Sequence, residues 1–363
     1  KISREFSKKN KVENEKTITP EIDAVEEVEI VLDAEMDFVT INLRNAKGKS
    51  LLVFDQEEEL INWLEELPWN KLTQLSPALR GLFLTFLFSK KIMQQSAYHP
   101  QLLRVGTKRF KVRWIPANLN EEVKKVYEKV EILTPKDLVF YKKGGDFLEP
   151  ISADSFTALV SFFLNHFIKT NHGLNFNQLV HPVNNLFFNG SMERFVDFEN
   201  KEFPGAIQLW LNKFYISEKE FAPVLIIDDQ QEEGTFEVKV AVEDKSKPLE
   251  GPIGIDKILA KSKYSSIRLD VLRNLAMLGD YFPQINILLS SKGKEQLFFD
   301  SDEFVEILFK ILPTIKLFGI KILLPKALRK LMRPKVSLKL ESSTDENGSV
   351  GGASMLNLDT MLS

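Results

Sequence analysis

Two spacings of apolar residues alternate along the chain. Apolar residues at every second position mark Phe38 to Leu43, and a β-rich run follows at Leu51 to Phe54. Between them lies the turn cluster Asn45 to Lys49 with Gly48, so the segment reads as a β-hairpin. A second hairpin is predicted over Leu102 to Ile115 across Gly106 to Lys108, with Phe110, Val112 and Trp114 alternating against Lys111 and Arg113. A third joins Val224–Ile227 to Thr235–Val242 around Asp228 to Gly234. Its Phe236, Val238, Val240 and Val242 are expected on one face and Glu237 and Lys239 on the other.

Between the hairpins the spacing changes to three and four. Leu60, Ile61, Leu64 and Leu67 predict a helix over 57–67, and Pro77 opens another over 78–93 with a wide apolar face. A short amphipathic helix is predicted over 121–131, and a nearly all-round apolar one over 152–169 belongs inside a core. Pro204-Gly205 precedes a helix carrying Ile207, Leu209, Trp210 and Leu211. Later helices are predicted over 266–282, over 301–312 with Ser301 as N-cap, and from Pro325 to Met332. Val336 to Leu340 reads as a strand, and 342–352 as a polar loop. Residues 170–202 show no period.

The fold class is therefore α+β, with short antiparallel hairpins packed with longer apolar helices in two or three subdomains. The expected division is a mobile arm over 1–20, an N-terminal α+β subdomain over 21–100, a central one over 101–250, and a basic helical one over 251–363. Lys245 to Pro252, polar with two prolines, is the expected linker.

Composition narrows the picture. With 44% hydrophobic residues in 363, the chain has the makings of a sizeable core and is not a disordered or low-complexity sequence. It has no Cys, which removes thiol chemistry and disulfides and fits a reducing compartment. No apolar run reaches the length of a membrane span and no signal peptide is visible, so a cytoplasmic protein, with association to the nucleoid open, is expected. The first residue is Lys rather than Met, which points to a piece of a longer protein.

Catalytic motifs are missing. There is no GxxxxGK[S/T], GxGxxG, GxSxG or HExxH, and the Gly-Lys stretches Lys142–Gly145 and Ser291–Lys294 read as turns. The four His residues (99, 166, 172, 181) have no metal-ligand spacing, so structural or surface roles are expected and no metal or cofactor is implied. The chain itself reads as non-catalytic.

Charge is more informative when divided. The −3 total hides 7 bases and 14 acids over 193–250 and 9 bases and 3 acids over 301–340. Those nine bases all follow Glu306, with no acid before Glu341. Lys321, Lys326, Arg329, Lys330, Arg333, Lys335 and Lys339 are candidate nucleic-acid contacts, joined by Arg109, Lys111 and Arg113 from a smaller group that includes Arg104 and Lys108. Such a run can neutralise backbone phosphates without sequence preference. The plainer alternative is a solvated face, since Leu323, Leu324, Leu328 and Leu331 are interleaved. Glu21 to Asp37 carries eight acids and no base, either a solvated face or a docking strip.

The order Val271-Leu-Arg-Asn-Leu-Ala, Tyr281-Phe-Pro-Gln, Ile320-Lys-Ile-Leu-Leu-Pro325, Arg333-Pro-Lys-Val-Ser-Leu-Lys-Leu340 resembles the helicase-associated region that precedes the motor in bacterial Swi/Snf-type ATPases. Val112-Arg-Trp-Ile-Pro116 and the block from Ile207 through the Val224 and Thr235 strands resemble that family's N-terminal region, so the likeness spans about 105–363. It implies a non-catalytic accessory region of an ATP-dependent DNA helicase or translocase, with the motor following Ser363. ATP and Mg²⁺ are implied for that motor alone. The implied partners are double-stranded DNA, the protein's own ATPase lobes and a further protein. The alternative is a docking or autoinhibitory module with no nucleic-acid contact.

Overall fold

The computed structural model describes residues 22–33, 37–67, 69–106, 109–142, 148–150, 154–171, 186–188, 193–194, 203–230 and 234–331. The expected arm over 1–20, the strand at 336–340 and the loop at 342–352 lie outside them, as does nearly all of 172–202. Among the described residues the fold is mixed α+β, with three sheets of mostly antiparallel strands and eleven α-helices. They divide into two compact units, Lys1–Pro116 with Val126–Arg194 and Ala117–Lys125 with Phe195–Ser363.

In the first unit, β1 (Glu27–Leu32), β2 (Phe38–Arg44), β3 (Ser50–Phe54), β6 (Val139–Lys142) and β7 (Leu148–Pro150) form a sheet in the order β3-β2-β1-β6-β7. The first expected hairpin is β2–β3, and β1 lies parallel to β6. In β1 the consecutive residues Ile30, Val31 and Leu32 are all buried, which is how a strand covered on both faces reads. Glu27 and Glu29 of the acid-rich segment thus sit on a strand, and Glu29 pairs with Arg44 at 2.8 Å. Helix α1 (Glu57–Glu66) opens on three glutamates that suit its N-terminus and stops just before Pro68.

Helix α2 (Pro77–Gln94) is capped by Ser76, whose Oγ accepts from the Leu79 N–H at 3.3 Å, and Pro77 stands where a missing N–H costs nothing. Most of α2 is buried because it packs against the equally apolar α4 (Ser155–Asn171). Phe86 meets Phe163 edge to face with ring centres 5.5 Å apart, the geometry that aromatic quadrupoles favour. Gly81 lets the chain pass close by: a Cβ there would stand 2.8 Å from Pro135 Cδ. The remaining strands, β4 (Tyr98–Gly106), β5 (Arg109–Pro116) and β8 (Glu193–Arg194), form a sheet in that order.

Helix α3 (Glu121–Leu133) follows, and its opening residues group with the second unit. Helix α5 (Phe203–Leu211) takes Pro204 and Gly205 into its first turn rather than starting after them. The second unit is built on the long hairpin of β9 (Phe221–Gln230) and β10 (Thr235–Asp244), paired from Thr235↔Gln230 to Asp244↔Phe221. Val238, Val240 and Val242 are buried as the alternation predicts. Glu237 is also buried, held by Gln230 Nε2 at 3.2 Å and Lys239 Nζ at 3.2 Å, so its face is not simply solvent.

The expected boundary at 250 is not one. After Lys245–Pro252 the chain returns to the same sheet as β11 (Ile253–Gly254), which pairs with Ala241 and Val242. Helices α6 (Ile255–Ala260), α7 (Ser265–Gly279) and α8 (Ile285–Ser290) follow, then β12 (Leu297–Phe299), again on β10. Leu225, Val238 and Val240 share one core with Val271, Leu275, Phe282 and Leu312, so neither side of 250 buries its apolar face without the other. The boundary expected at 100 likewise falls inside the first unit, within β4.

Helix α9 (Ser301–Glu306) is capped by Asp300, whose Oδ1 accepts from the Glu303 N–H at 2.9 Å, one residue earlier than expected. It continues through a π turn (Ile307–Ile311) into α10 (Leu312–Leu317). Pro313 lacks the N–H that an α-helical ladder needs, and the wider turn just before it accommodates that break. The edge strand β13 (Lys321–Leu323) runs parallel to β9, and α11 (Lys326–Leu331) follows Pro325.

Candidate functional site

The ten bases marked by the sequence separate into distinct environments. In the second unit Lys321, Lys326 and Arg329 are exposed on β13 and α11. Lys321 meets Glu243 at 3.0 Å, an ion pair open to water and therefore weak. Arg329 donates through Nε to the Leu324 carbonyl at 2.8 Å, which orients its guanidinium. The side chain of Lys330, together with Arg333, Lys335 and Lys339, lies outside the described residues.

The smaller group on β5 is mostly withdrawn from solvent. Arg109 is exposed, but the Lys111 side chain is only 3% accessible, and its ammonium is ion-paired with Asp37. Arg113 is gripped by Gln101 at 2.7 Å and Asp154 at 2.6 Å. The alternation that placed these bases opposite Val112 and Trp114 is correct, but both faces of β5 are covered. Helix α4 lies against the strand, and Asn165 on it accepts from the Trp114 N–H at 3.0 Å. Lys111 and Arg113 are therefore structural ion pairs rather than open phosphate contacts, a correction that the long-range partners Asp37 and Asp154 impose.

Around Lys111 the first unit assembles a polar centre that sequence spacing does not signal. His166 on α4, buried, meets Glu57 at the start of α1, with Nδ1 and Oε2 3.1 Å apart. The hydrogen bond to His166 holds the Glu57 carboxyl below the usual carboxylate range against the opposing effect of burial, with Lys169 and Lys111 adding to it. Glu57 is thus an ionised acceptor, so Nδ1 of His166 is the donor. Trp114 closes one side, donating from its indole nitrogen to the Phe187 carbonyl at 2.9 Å.

The hollow between these groups is about 70 Å³, room for two waters on a share of roughly 30 Å³ each and too small for a substrate. The centre reads as a buried ion network that fixes α1, α4 and β5. The only signal of it in the sequence is a His within an apolar helix, which is equally consistent with a core histidine. His99, also buried, has its pKa lowered by burial. His172 and His181 lie outside the described residues.

No group of three His, Asp or Glu able to hold a metal occurs among the described residues. Ser291–Lys294 is a tight turn with Lys292 and Gly293 at positive φ rather than a phosphate cradle opening a long helix. No helix among the described residues is long and apolar enough to cross a membrane.

What these features define is a mixed α+β protein in which Lys111 and Arg113 are paired within the first unit while Lys321, Lys326 and Arg329 of the second face water. Residues 2–196 match the family described as Domain of unknown function (DUF8276), and the chain belongs to that family. No curated protein and no solved structure matches it.

Proposed function

We propose that the chain is a non-catalytic accessory region of a Swi/Snf-type DNA translocase, and that it contacts duplex DNA through the basic surface of β13 and α11. The observation that carries this reading is the exposure of Lys321, Lys326 and Arg329 within a stretch that has nine bases and no acid after Glu306 until Glu341. An exposed pair such as Lys321–Glu243 is weak in water, so a phosphate can displace the carboxylate. The likeness to the helicase-associated region supports the same assignment, with ATP and Mg²⁺ belonging to the motor.

The test is binding of the chain to a short fluorescent duplex across a salt series. Reversing Lys326, Arg329, Lys330 and Arg333 to Glu is expected to weaken binding and to flatten the log–log salt slope by roughly 3–4, since each phosphate contact contributes about 0.9. Unchanged affinity and slope would overturn the reading.

A second reading, docking onto the ATPase lobes or another protein, draws on Val305 and Phe309. They lie one turn apart and are 53% and 54% exposed. If Val305→Ser with Phe309→Ser abolishes binding to separately purified ATPase lobes while DNA affinity is retained, the docking role is the correct one.

A further inference from the structure

A second and larger hollow, about 460 Å³, opens between α1, α2 and α4 in the first unit, within the range of small-molecule sites. Its polar lining is rich in acceptors. Glu58 is exposed and has no partner among the described residues. Glu65 also faces the hollow, paired with Lys90 at 2.7 Å, both side chains nearly half exposed and the pair correspondingly weak. Asn171 donates its Nδ2 to the Phe167 carbonyl at 2.8 Å, which leaves its Oδ1 as an acceptor.

His166 contributes the wall that this hollow shares with the small one. Its Nδ1 donates to Glu57, so in the neutral ring Nε2 carries the lone pair. Nε2 has no hydrogen-bond partner among the described residues, and the side chain is only 5% exposed. With one nitrogen bound to a carboxylate, the buried ring is held in a single orientation at this wall.

Two carboxylates, one lone-pair nitrogen and an amide oxygen, beside the apolar Ile61, Met93 and Phe167, suit a donor-rich cation on an alkyl stem. We propose that this hollow binds an alkylguanidinium or alkylammonium group, with His166 Nε2 and Glu58 accepting from its N–H groups and Glu65 exchanging its bond to Lys90 for one to the ligand. The same chemistry is offered by a free polyamine and by the arginine side chain of a peptide.

The experiment titrates the protein with agmatine, spermidine and N-acetyl-arginine amide, reading the His166 ring nitrogens by NMR and the affinity by calorimetry. Butane-1,4-diol, which keeps the stem and lacks the charge, is the control. The expected result is a saturable shift of the His166 Nε2 resonance with at least one cation and none with the diol. Stronger binding of agmatine or spermidine would identify a free amine, and stronger binding of the blocked arginine a peptide. Glu58→Gln with Glu65→Gln, both at exposed positions where folding is undisturbed, is expected to weaken binding at least tenfold. Lys257→Glu, at an exposed position of the second unit, is expected to leave the cation affinity unchanged. No saturable shift with any of the three cations, equal binding of the diol, or unchanged affinity in the double Gln variant would each overturn the proposal.

Discussion

Lys111 on β5 and Lys326 on α11 come from stretches of similar basic density, yet they have opposite surroundings. Lys111 is buried against Asp37, and its neighbour Arg113 is held by two side chains, whereas Lys326 stands in water. The difference lies in what covers each element. Strand β5 has α4 packed against it and draws Lys111 and Arg113 onto carboxylates, while a short helix after an edge strand keeps a face in water. A local count of bases therefore measures potential attraction to phosphate, and long-range packing decides how much of it remains available.

The contrast is broken most severely at Lys111. Lys111→Glu removes the buried partner of Asp37 and adds a carboxylate beside Glu57, and a loss of about 3–5 kcal/mol is expected in urea unfolding. Lys326→Glu is expected to leave the urea midpoint within experimental scatter. Equal effects of the two substitutions would mean that Lys111 is no more dependent on its partner than Lys326.

A neutral side chain does comparable work in the second unit. Asn120 accepts through Oδ1 from the N–H groups of Glu122 and Val123, and donates through Nδ2 to the Lys316 carbonyl at 3.2 Å. It thus caps the start of α3 and the end of α10 together, beside a Lys316–Glu122 ion pair at 2.7 Å. Asn120→Ala is expected to cost about 1–2 kcal/mol, a smaller loss than at Lys111, because each cap is worth about 1.

The smallest effect is in pH. Burial lowers the His99 pKa below 6.5, so the unfolded chain takes up a proton before the folded one does. Stability is therefore expected to be level above about pH 7 and to decline as pH falls through 6.5 toward the folded value. His99→Gln should flatten this part of a urea-midpoint profile. The lowered pKa of Glu57 acts at more acid pH. Its contribution is present above 4.5 and is lost as pH falls through its folded value, so Glu57→Gln should flatten the profile only there.

The three hairpins were legible because period-two alternation and turn residues are local signals, and the main helices were legible from their apolar faces. The cap at Asp300 was missed by one residue, since Asp300, Ser301 and Asp302 are all plausible caps. The burial of Glu237 was missed because alternation assigns a face without saying what covers it. The candidate sites divide in the same way. The exposed bases are visible as composition, but Lys111 meets Asp37 across 74 positions and His166 meets Glu57 across 109, distances over which no spacing rule operates. The boundary expected at 250 rested on Pro and polar content, which mark a turn as readily as a linker.

The bond from Asn120 to Lys316 also has a bearing on time. It spans 196 positions, and Gly319, whose added Cβ would stand 2.6 Å from the Leu119 carbonyl, closes over the same segment. Loop length itself adds little equilibrium cost, only about 0.6 kcal/mol for each doubling, but such distant contacts form late. On the ribosome, residues 117–122 emerge long before the helix end that completes their bonding. An early part of the chain therefore waits for one of the last described helices before it becomes native, and a nascent chain stopped short of residue 316 leaves that segment open.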